Sequence, residues 1–314
     1  MLKEKDYISS INENSLELKE ILRNSIEDIK LKPLINDLAP GEGKLVRGLF
    51  TLIGGSFGRI DRKRILEISA AVELLHLATL VHDDIVDESK LRRGRITIHS
   101  KYGVKAGLFL GDYLFSQAYI LFSKNCSSES IIKVSETIKF ICTGEIDQFF
   151  STYSFNSSIK DYLKRVNGKC ASLFSLSLWI GAYEGKVSMD IVERLKKIGY
   201  LTGMAFQLID DILDITSSEE ILGKPCGNDI REGIYTLPVL YELNKENDLL
   251  KKYLEEGEYS QAVDLLRSSK GLDKTRELAE KYTIRSLNLI KQLPETEGRE
   301  DLRKIVEKML FRVY

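Results

Sequence analysis

The residues best placed to do chemistry are two short acidic segments, Asp83-Asp84-Ile85-Val86-Asp87 and Asp210-Asp211-Ile212-Leu213-Asp214, which repeat one Asp-Asp-x-x-Asp pattern. On a helix, positions four apart share a face with Cβ atoms ~5–6 Å apart, so Asp83 pairs with Asp87 and Asp210 with Asp214. Each pair repels itself unless a cation sits between the carboxylates, and hard oxygen ligands favour Mg²⁺. Acidic pairs at this spacing are also common on solvated helix faces. The residues leading into each motif argue against that plainer reading. Leu74-Leu75-His76-Leu77-Ala78-Thr79-Leu80-Val81 and Met204-Ala205-Phe206-Gln207-Leu208-Ile209 are nearly all apolar, as a solvated face would not be.

Mg²⁺ held by one or two carboxylates completes its shell with water and substrate phosphates, so basic residues should mark the phosphate. Lys44 and Arg47, the pair Arg92-Arg93, Lys169 and Lys224 stand at or near Gly43, Gly94, Gly168 and Gly223. Glycine lets backbone and cation come close to an anion, and Arg grips phosphate with two donors. A single basic residue beside glycine is usually a solvated turn. The inference rests on the number of these residues and their placement around the aspartates.

These groups need a scaffold, and the sequence writes it in helices. Five prolines in 314 residues leave long uninterrupted stretches, and apolar residues recur at helical rather than alternating spacing. The periodicity predicts helices over 64–86, 105–124, 130–150, 159–181, 190–215, 236–243, 272–293 and near 302–313. Breaks are expected at Pro33, Gly41–Gly43, Gly54–Gly58, Gly94, Asn125–Ser128, Gly185 and Gly223–Gly227. Arg92–Ile98 and Ser217–Gly233 read as longer functional loops. No break is long or polar enough for a flexible linker, so residues 1–314 are expected to form a single all-helical domain.

Composition narrows the function. With 46 Lys+Arg against 47 Asp+Glu the formal charge is −1, which gives no bulk positive field for a nucleic-acid backbone. The longest charge-free apolar stretch found, Cys170–Tyr183, is 14 residues with three serines, short of the ~18–20 of a membrane span. No transmembrane helix is expected. Met-Leu-Lys-Glu-Lys-Asp opens the chain without an apolar signal segment, and Cys126, Cys142, Cys170 and Cys226 form no CxxC pair. A cytoplasmic location with reduced thiols is the expectation.

At this point the sequence resembles a known family, the trans-type isoprenyl (polyprenyl) diphosphate synthases. The segments that carry the resemblance begin with Gly43-Lys44-Leu45-Val46-Arg47, Glu73 through His76 to Ser89, and Leu91-Arg92-Arg93-Gly94. They continue through Gly111-Asp112-Tyr113-Leu114, Gly168-Lys169, Ala205 to Asp214, Leu222 to Pro225, Asn228 to Gly233 and Thr236-Leu237-Pro238. The resemblance implies an all-α bundle of antiparallel helices around a central cavity, the isoprenoid-synthase type, usually as a homodimer. It also implies a reaction. An allylic diphosphate ionises, the double bond of isopentenyl diphosphate attacks the cation in a trans 1′–4 elongation, and a proton is lost. By position, Asp83, Asp87 and Asp210 would bind Mg²⁺, up to three ions, with Asp84, Asp211 and Asp214 supporting the shell. Arg92, Lys169 and Lys224 match residues that hold the leaving diphosphate. Lys44, Arg47, His76 and Arg93 match those that hold isopentenyl diphosphate, and Gln207 matches a polar residue near the developing cation.

Four positions depart from the family pattern. Gly48 stands where proline is common, Ile96 where Arg-Arg-Gly-x-Pro has its proline, Cys170 where threonine often follows the lysine, and Ile234 where Gly-Lys-x-Thr-Leu-Pro has its lysine. Product length should follow from the helix entering Asp83. Thr79, Ala78, Leu75 and Val72 carry no ring, and each helical turn rises ~5.4 Å, about one isoprene unit. Relatives making C15 or C20 products commonly carry Phe or Tyr there, so a product of about C30–C40 is expected; a floor built instead by Phe109, Phe115 or Phe149 would give a shorter one. Two other readings remain in view. His82-Asp83 would suit a metal-dependent phosphohydrolase, which needs more histidines than His76, His82 and His99 supply. Ile234 would suit a catalytically weak partner subunit of the same fold. His99, Trp179 and Met204 are read as structural.

Overall fold

The computed structural model describes residues 2–26, 28–38, 43–92, 94–217, 226–245 and 248–311, so Arg93 and Lys224 lie outside the described residues. Of the described residues 80% are helical, as the spacing of the apolar residues predicts. In order the helices are α1 (Leu2–Ser25), α2 (Lys32–Leu38), α3 (Val46–Ser56), α4 (Arg62–Val86), α5 (Ile98–Tyr102), α6 (Val104–Asn125), α7 (Ser128–Ser151), α8 (Ile159–Val166) and α9 (Ser172–Glu184). They continue as α10 (Met189–Thr216), α11 (Asn228–Arg231), α12 (Leu237–Leu243), α13 (Asp248–Glu255), α14 (Tyr259–Arg267), α15 (Lys270–Lys291) and α16 (Glu297–Leu310). Between α4 and α5 two short antiparallel strands, β1 (Leu91–Arg92) and β2 (Arg95–Ile96), form a hairpin. Its turn holds Gly94 at φ +75°, a backbone region that glycine enters without steric cost.

Local chemistry explains the boundaries. Asp61 caps α4 by accepting from the Arg64 N–H at 2.9 Å, and Ser158 caps α8 by accepting from Asp161 N–H at 3.1 Å. Three expectations need correction. Pro33 does not break a helix; it occupies the second position of α2, where its missing N–H costs nothing. Gly54 and Gly55 lie inside α3 rather than in a break, for a packing reason given below. The single helix expected over 159–181 is split by a π-helical turn, Asn167–Ala171, between α8 and α9.

The structure divides into two compact units. One comprises Met1–Ser135, Leu176–Lys196 and Gln292–Ile305. Its centre is α4, which packs against α1, α3 and α6 and buries Ile68, Val72, Leu74, Leu75 and Ala78 completely. Among the described residues, α4 is the one helix long and apolar enough to cross a membrane by length and composition. Yet 67% of its most apolar stretch is buried inside the protein, as in a core helix. α3 meets the Leu178–Ala182 stretch of α9 backbone to backbone. A Cβ on Gly54 would lie 2.4 Å from the Leu178 carbonyl oxygen, and one on Gly181 would lie 2.0 Å from that of Thr51. Buried Glu184 then fastens the start of α7, accepting from Ser127 N–H (2.7 Å), Ser127 Oγ (2.8 Å) and Ser130 Oγ (2.6 Å) while pairing with Arg64. A carboxylate there satisfies N–H groups that the first turn leaves without partners and complements the helix dipole.

The other unit comprises Glu136–Ser175, Lys197–Lys291 and Val306–Tyr314. Glycines again permit close approach. A Cβ on Gly199 would lie 2.4 Å from the Phe174 carbonyl oxygen, and one on Gly203 2.5 Å from Ala171 Cα, so α10 lies directly against the π-turn and the start of α9. Thr202 and Ser286 join α10 to α15 through buried hydroxyls 2.8 Å apart. Buried Glu242 of α12 accepts from the Gly271 N–H of α15 at 2.7 Å.

The α3–α9 contact is testable. Gly181→Ala should destabilise the protein by about 1–3 kcal/mol, the usual cost of overpacking, read as a lower midpoint in urea unfolding. A midpoint equal to that of the unsubstituted chain would mean that these helices part freely.

Candidate active site

In the first unit the aspartate motif ends α4. Asp83 and Asp87 are half-buried, Asp84 is buried, and Asp87 is the C-cap residue, its N–H donating to the Asp83 carbonyl at 2.8 Å. Carboxylates at a helix C-terminus face the negative end of the dipole, an unfavourable placement that a bound cation reverses. Asp84 is held separately. Its Oδ1 accepts from Arg92 Nε at 2.6 Å, and the carboxyl is pushed up by burial, with the guanidinium opposing. The hairpin that carries Arg92 is tied back to the end of α4: Ser89 N–H donates to the Asp84 carbonyl at 3.0 Å, and Thr97 Oγ1 to the Ser89 carbonyl at 2.7 Å. His82 turns toward α6, 3.3 Å from the Leu108 carbonyl and 3.5 Å from Asp112 Oδ1. Gly111 makes room for it, since a Cβ there would sit 2.1 Å from His82 Nε2.

The same unit brings together two of the residues expected to hold isopentenyl diphosphate. Arg47 NH1 lies 2.9 Å from His76 Nε2, while Lys44 is exposed on the segment entering α3. Leu45 caps α3 at φ +47°, the left-handed region. Glu73, quoted above within a family segment but given no role, is buried on α4 and accepts from the Gly48 N–H at 2.7 Å. A proline at position 48 would lack that donor, and even a Cβ there would lie 2.5 Å from Leu18 Cδ2, so the departure from the family pattern has a local cause. Leu75 and Ala78 are fully buried. Thr79 is half-buried with its hydroxyl donating to the His76 carbonyl at 2.7 Å. Of the rings considered as a floor, Phe109 and Phe149 are 68% and 69% exposed, and Phe115 is half-buried with its ring centre 5.6 Å from that of His82.

In the second unit the motif lies near the end of α10. Asp211 is 2% exposed and Asp214 is buried, whereas Asp210 is half-buried. Asp211 accepts from Gln207 Nε2 on Oδ1 at 3.0 Å and from the Tyr162 hydroxyl on Oδ2. Burial pushes its carboxyl up to about 6, with the Asp210 charge adding to the rise and the two hydrogen bonds opposing it. The Tyr162 phenol is pushed well above its ordinary value by burial and by Asp211. Asp214 accepts from Asp229 N–H at 3.3 Å on Oδ2 and from Gly227 N–H at 2.9 Å on its carbonyl, which ties α11 to the motif. Lys169 sits in the π-turn, its Nζ 3.1 Å from Glu145 Oε2. Such turns occur frequently at functional sites. Ile234 follows α11 and donates its N–H to the Asp229 carbonyl at 2.8 Å.

Sequence reasoning did not single out Tyr162 or Glu145, and it quoted Glu73 only within a family segment, without a role. Among the described residues no three His, Cys, Asp or Glu side chains converge into a metal cage.

Comparison with known proteins bears on family and fold. The family model described as polyprenyl synthetase matches residues 29–267. Heptaprenyl diphosphate synthase component 2 of Geobacillus stearothermophilus is 35% identical over 268 residues, 84% of this chain and 84% of that protein. Nonaprenyl diphosphate synthase of Mycobacterium tuberculosis is 32% identical over 279 residues, 86% and 83% of the two chains. The crystal structure of heptaprenyl diphosphate synthase from Staphylococcus aureus superposes with a TM-score of 0.92 at 32% identity, covering 96% of this chain and 98% of that one. Repeated aspartate motifs on apolar helices, the basic residues near them and these matches lead to one conclusion: the chain belongs to the polyprenyl synthetase family and is an all-α prenyltransferase.

Proposed function

We propose that this protein condenses isopentenyl diphosphate with an allylic diphosphate and makes a long-chain polyprenyl diphosphate of about C30–C40. The observation that carries this reading is the shared design of the two motifs. In each unit an Asp-Asp-x-x-Asp motif stands near the end of an apolar helix, with Asp84 or Asp211 buried and Asp83 and Asp87, or Asp210, half-exposed. Asp83, Asp87 and Asp210 are the residues to hold Mg²⁺, up to three ions, with Asp84, Asp211 and Asp214 in support. When bound, Mg²⁺ neutralises charge that builds on the departing diphosphate.

The chain's own residues supply the rest. Arg92, Lys169 and Lys224 hold the leaving group, and their donors strengthen as the C1–O bond breaks and its electron pair passes to the diphosphate. Arg47, His76, Lys44 and Arg93 hold isopentenyl diphosphate, so that its double bond meets the allylic C1. The Gln207 amide lies beside the developing cation. Buried apolar residues ahead of each motif exclude the water that would trap that cation, and the released diphosphate accepts the proton lost in forming the new double bond. Ala78, Thr79 and Leu75 carry no ring that would stop the growing chain. Similarity to a heptaprenyl synthase, whose product is C35, supports this length, and the nonaprenyl synthase, at C45, lies above it.

A homodimer is the proposed assembly. A second reading, in which the chain elongates only beside an unlike subunit, is favoured by its similarity to a protein named component 2 and by Ile234 in place of the family lysine.

Purified chain incubated with isopentenyl diphosphate, farnesyl diphosphate and Mg²⁺ should give C30–C40 products on reversed-phase chromatography, and Asp83→Ala should cut the rate roughly 10²-fold or more. A dominant C15 or C20 product would defeat the assigned length, release of phosphate without elongation would defeat the transferase reading, and silence until a second chain is added would favour the heteromer. Thr79→Tyr should shorten the product; unchanged length would place the wall of the product path elsewhere.

A further inference from the structure

We propose that Tyr162 is a positioning residue which, through Asp211, fixes the direction of the Gln207 amide. All three side chains lie in the second unit, and the geometry is independent of the catalytic reading; only its consequence for rate rests on the elongation function proposed above.

Tyr162 is 2% exposed on α8, and its hydroxyl donates to Asp211 Oδ2. The helix beneath it is held from several sides. Ser158 caps it, and Arg165, with its guanidinium carbon 5.6 Å from the Tyr162 ring centre, donates to the Tyr235 carbonyl at 3.1 Å and to Ser151 Oγ at 3.3 Å. The phenol therefore has little freedom to follow Asp211 if the carboxylate turns. Gln207 precedes Asp211 by one helical turn and donates from Nε2 to Oδ1 at 3.0 Å. Both carboxylate oxygens thus accept, one from a fixed hydroxyl and one from the amide.

An amide has a donor end and an acceptor end, and a carboxylate that only accepts pairs with the donor end alone. With Asp211 anchored by Tyr162, the Gln207 nitrogen must face Asp211 and its Oε1 must face away. Without the phenol, Asp211 loses the contact that sets its rotation, and the amide is free to turn over and reverse its local dipole. Beside a developing allylic cation, the oxygen end lowers the barrier and the nitrogen end raises it. Tyr162 acts at one remove, through Asp211.

Tyr162→Phe keeps the ring and removes the anchor. Its kcat for elongation should fall about tenfold, with KM for both diphosphates within about twofold of the unsubstituted enzyme, and the same change made in a Gln207→Leu background should cost less than about twofold. Equal cost in both backgrounds, a loss confined to KM, or an unchanged kcat would overturn the proposal. A second readout needs no activity. Side-chain ¹⁵N labelling of the five glutamines should give one amide pair, missing in Gln207→Leu, with two well-separated and slowly exchanging protons. A Gln207 pair with the averaged signals of a solvated amide would sink the assignment outright. If the unsubstituted chain elongates nothing, alone or with a partner, the functional reading fails, while the Gln207 pair still decides the role of Tyr162: it should collapse to averaged signals in Tyr162→Phe, and a pair unchanged there would overturn the proposal.

Discussion

Like-charged carboxylates gathered at the end of an apolar helix are the constraint around which this protein is built. They lose hydration and repel one another, and neither cost is met by the helix that carries them. The two units answer in different ways. Near the surface of the first, Asp84 takes a guanidinium from Arg92, a pairing in which water can still share. Deep in the second, Asp211 takes a phenol and an amide. A full ion pair at that depth would carry a large desolvation penalty, whereas neutral donors satisfy the oxygens without burying a second charge.

Holding such groups in place demands rigid helices in close contact, and glycine supplies the closeness. Gly54 and Gly181 in one unit, and Gly199 and Gly203 in the other, bring backbones together where any side chain would force them apart. In the second unit this contact places the π-turn carrying Lys169 directly against α10, the helix of the second motif. The wider turn alters the direction in which the following residues leave the helix, so a strict α-helical repeat through 159–181 would project Lys169 differently.

Periodicity and motif spacing revealed the parts of this design that are local. The predicted span 64–86 differs from α4 by two residues at one end, and 190–215 differs from α10 by one at each end, because a buried helix declares itself through a sustained apolar run. What stayed hidden depends on contacts distant in sequence. Gly54 and Gly55 looked like helix breakers because the backbone they touch lies on α9, far along the chain. Tyr162 read as an ordinary aromatic because its partner, Asp211, stands 49 positions away. The π-turn has no compositional mark of its own. Arg47 and His76 lie in contact, and the roles of Glu73 and Glu145 became visible only once their partners were in place.

The contact between Gly48 and Glu73 constrains position 48. Because the backbone N–H at position 48 donates to a carboxylate interred on α4, an imino acid placed there in this chain would take one donor from a buried acceptor and would also crowd Leu18. Grafting the more usual proline onto this scaffold would therefore require repacking of the α1–α3–α4 contact.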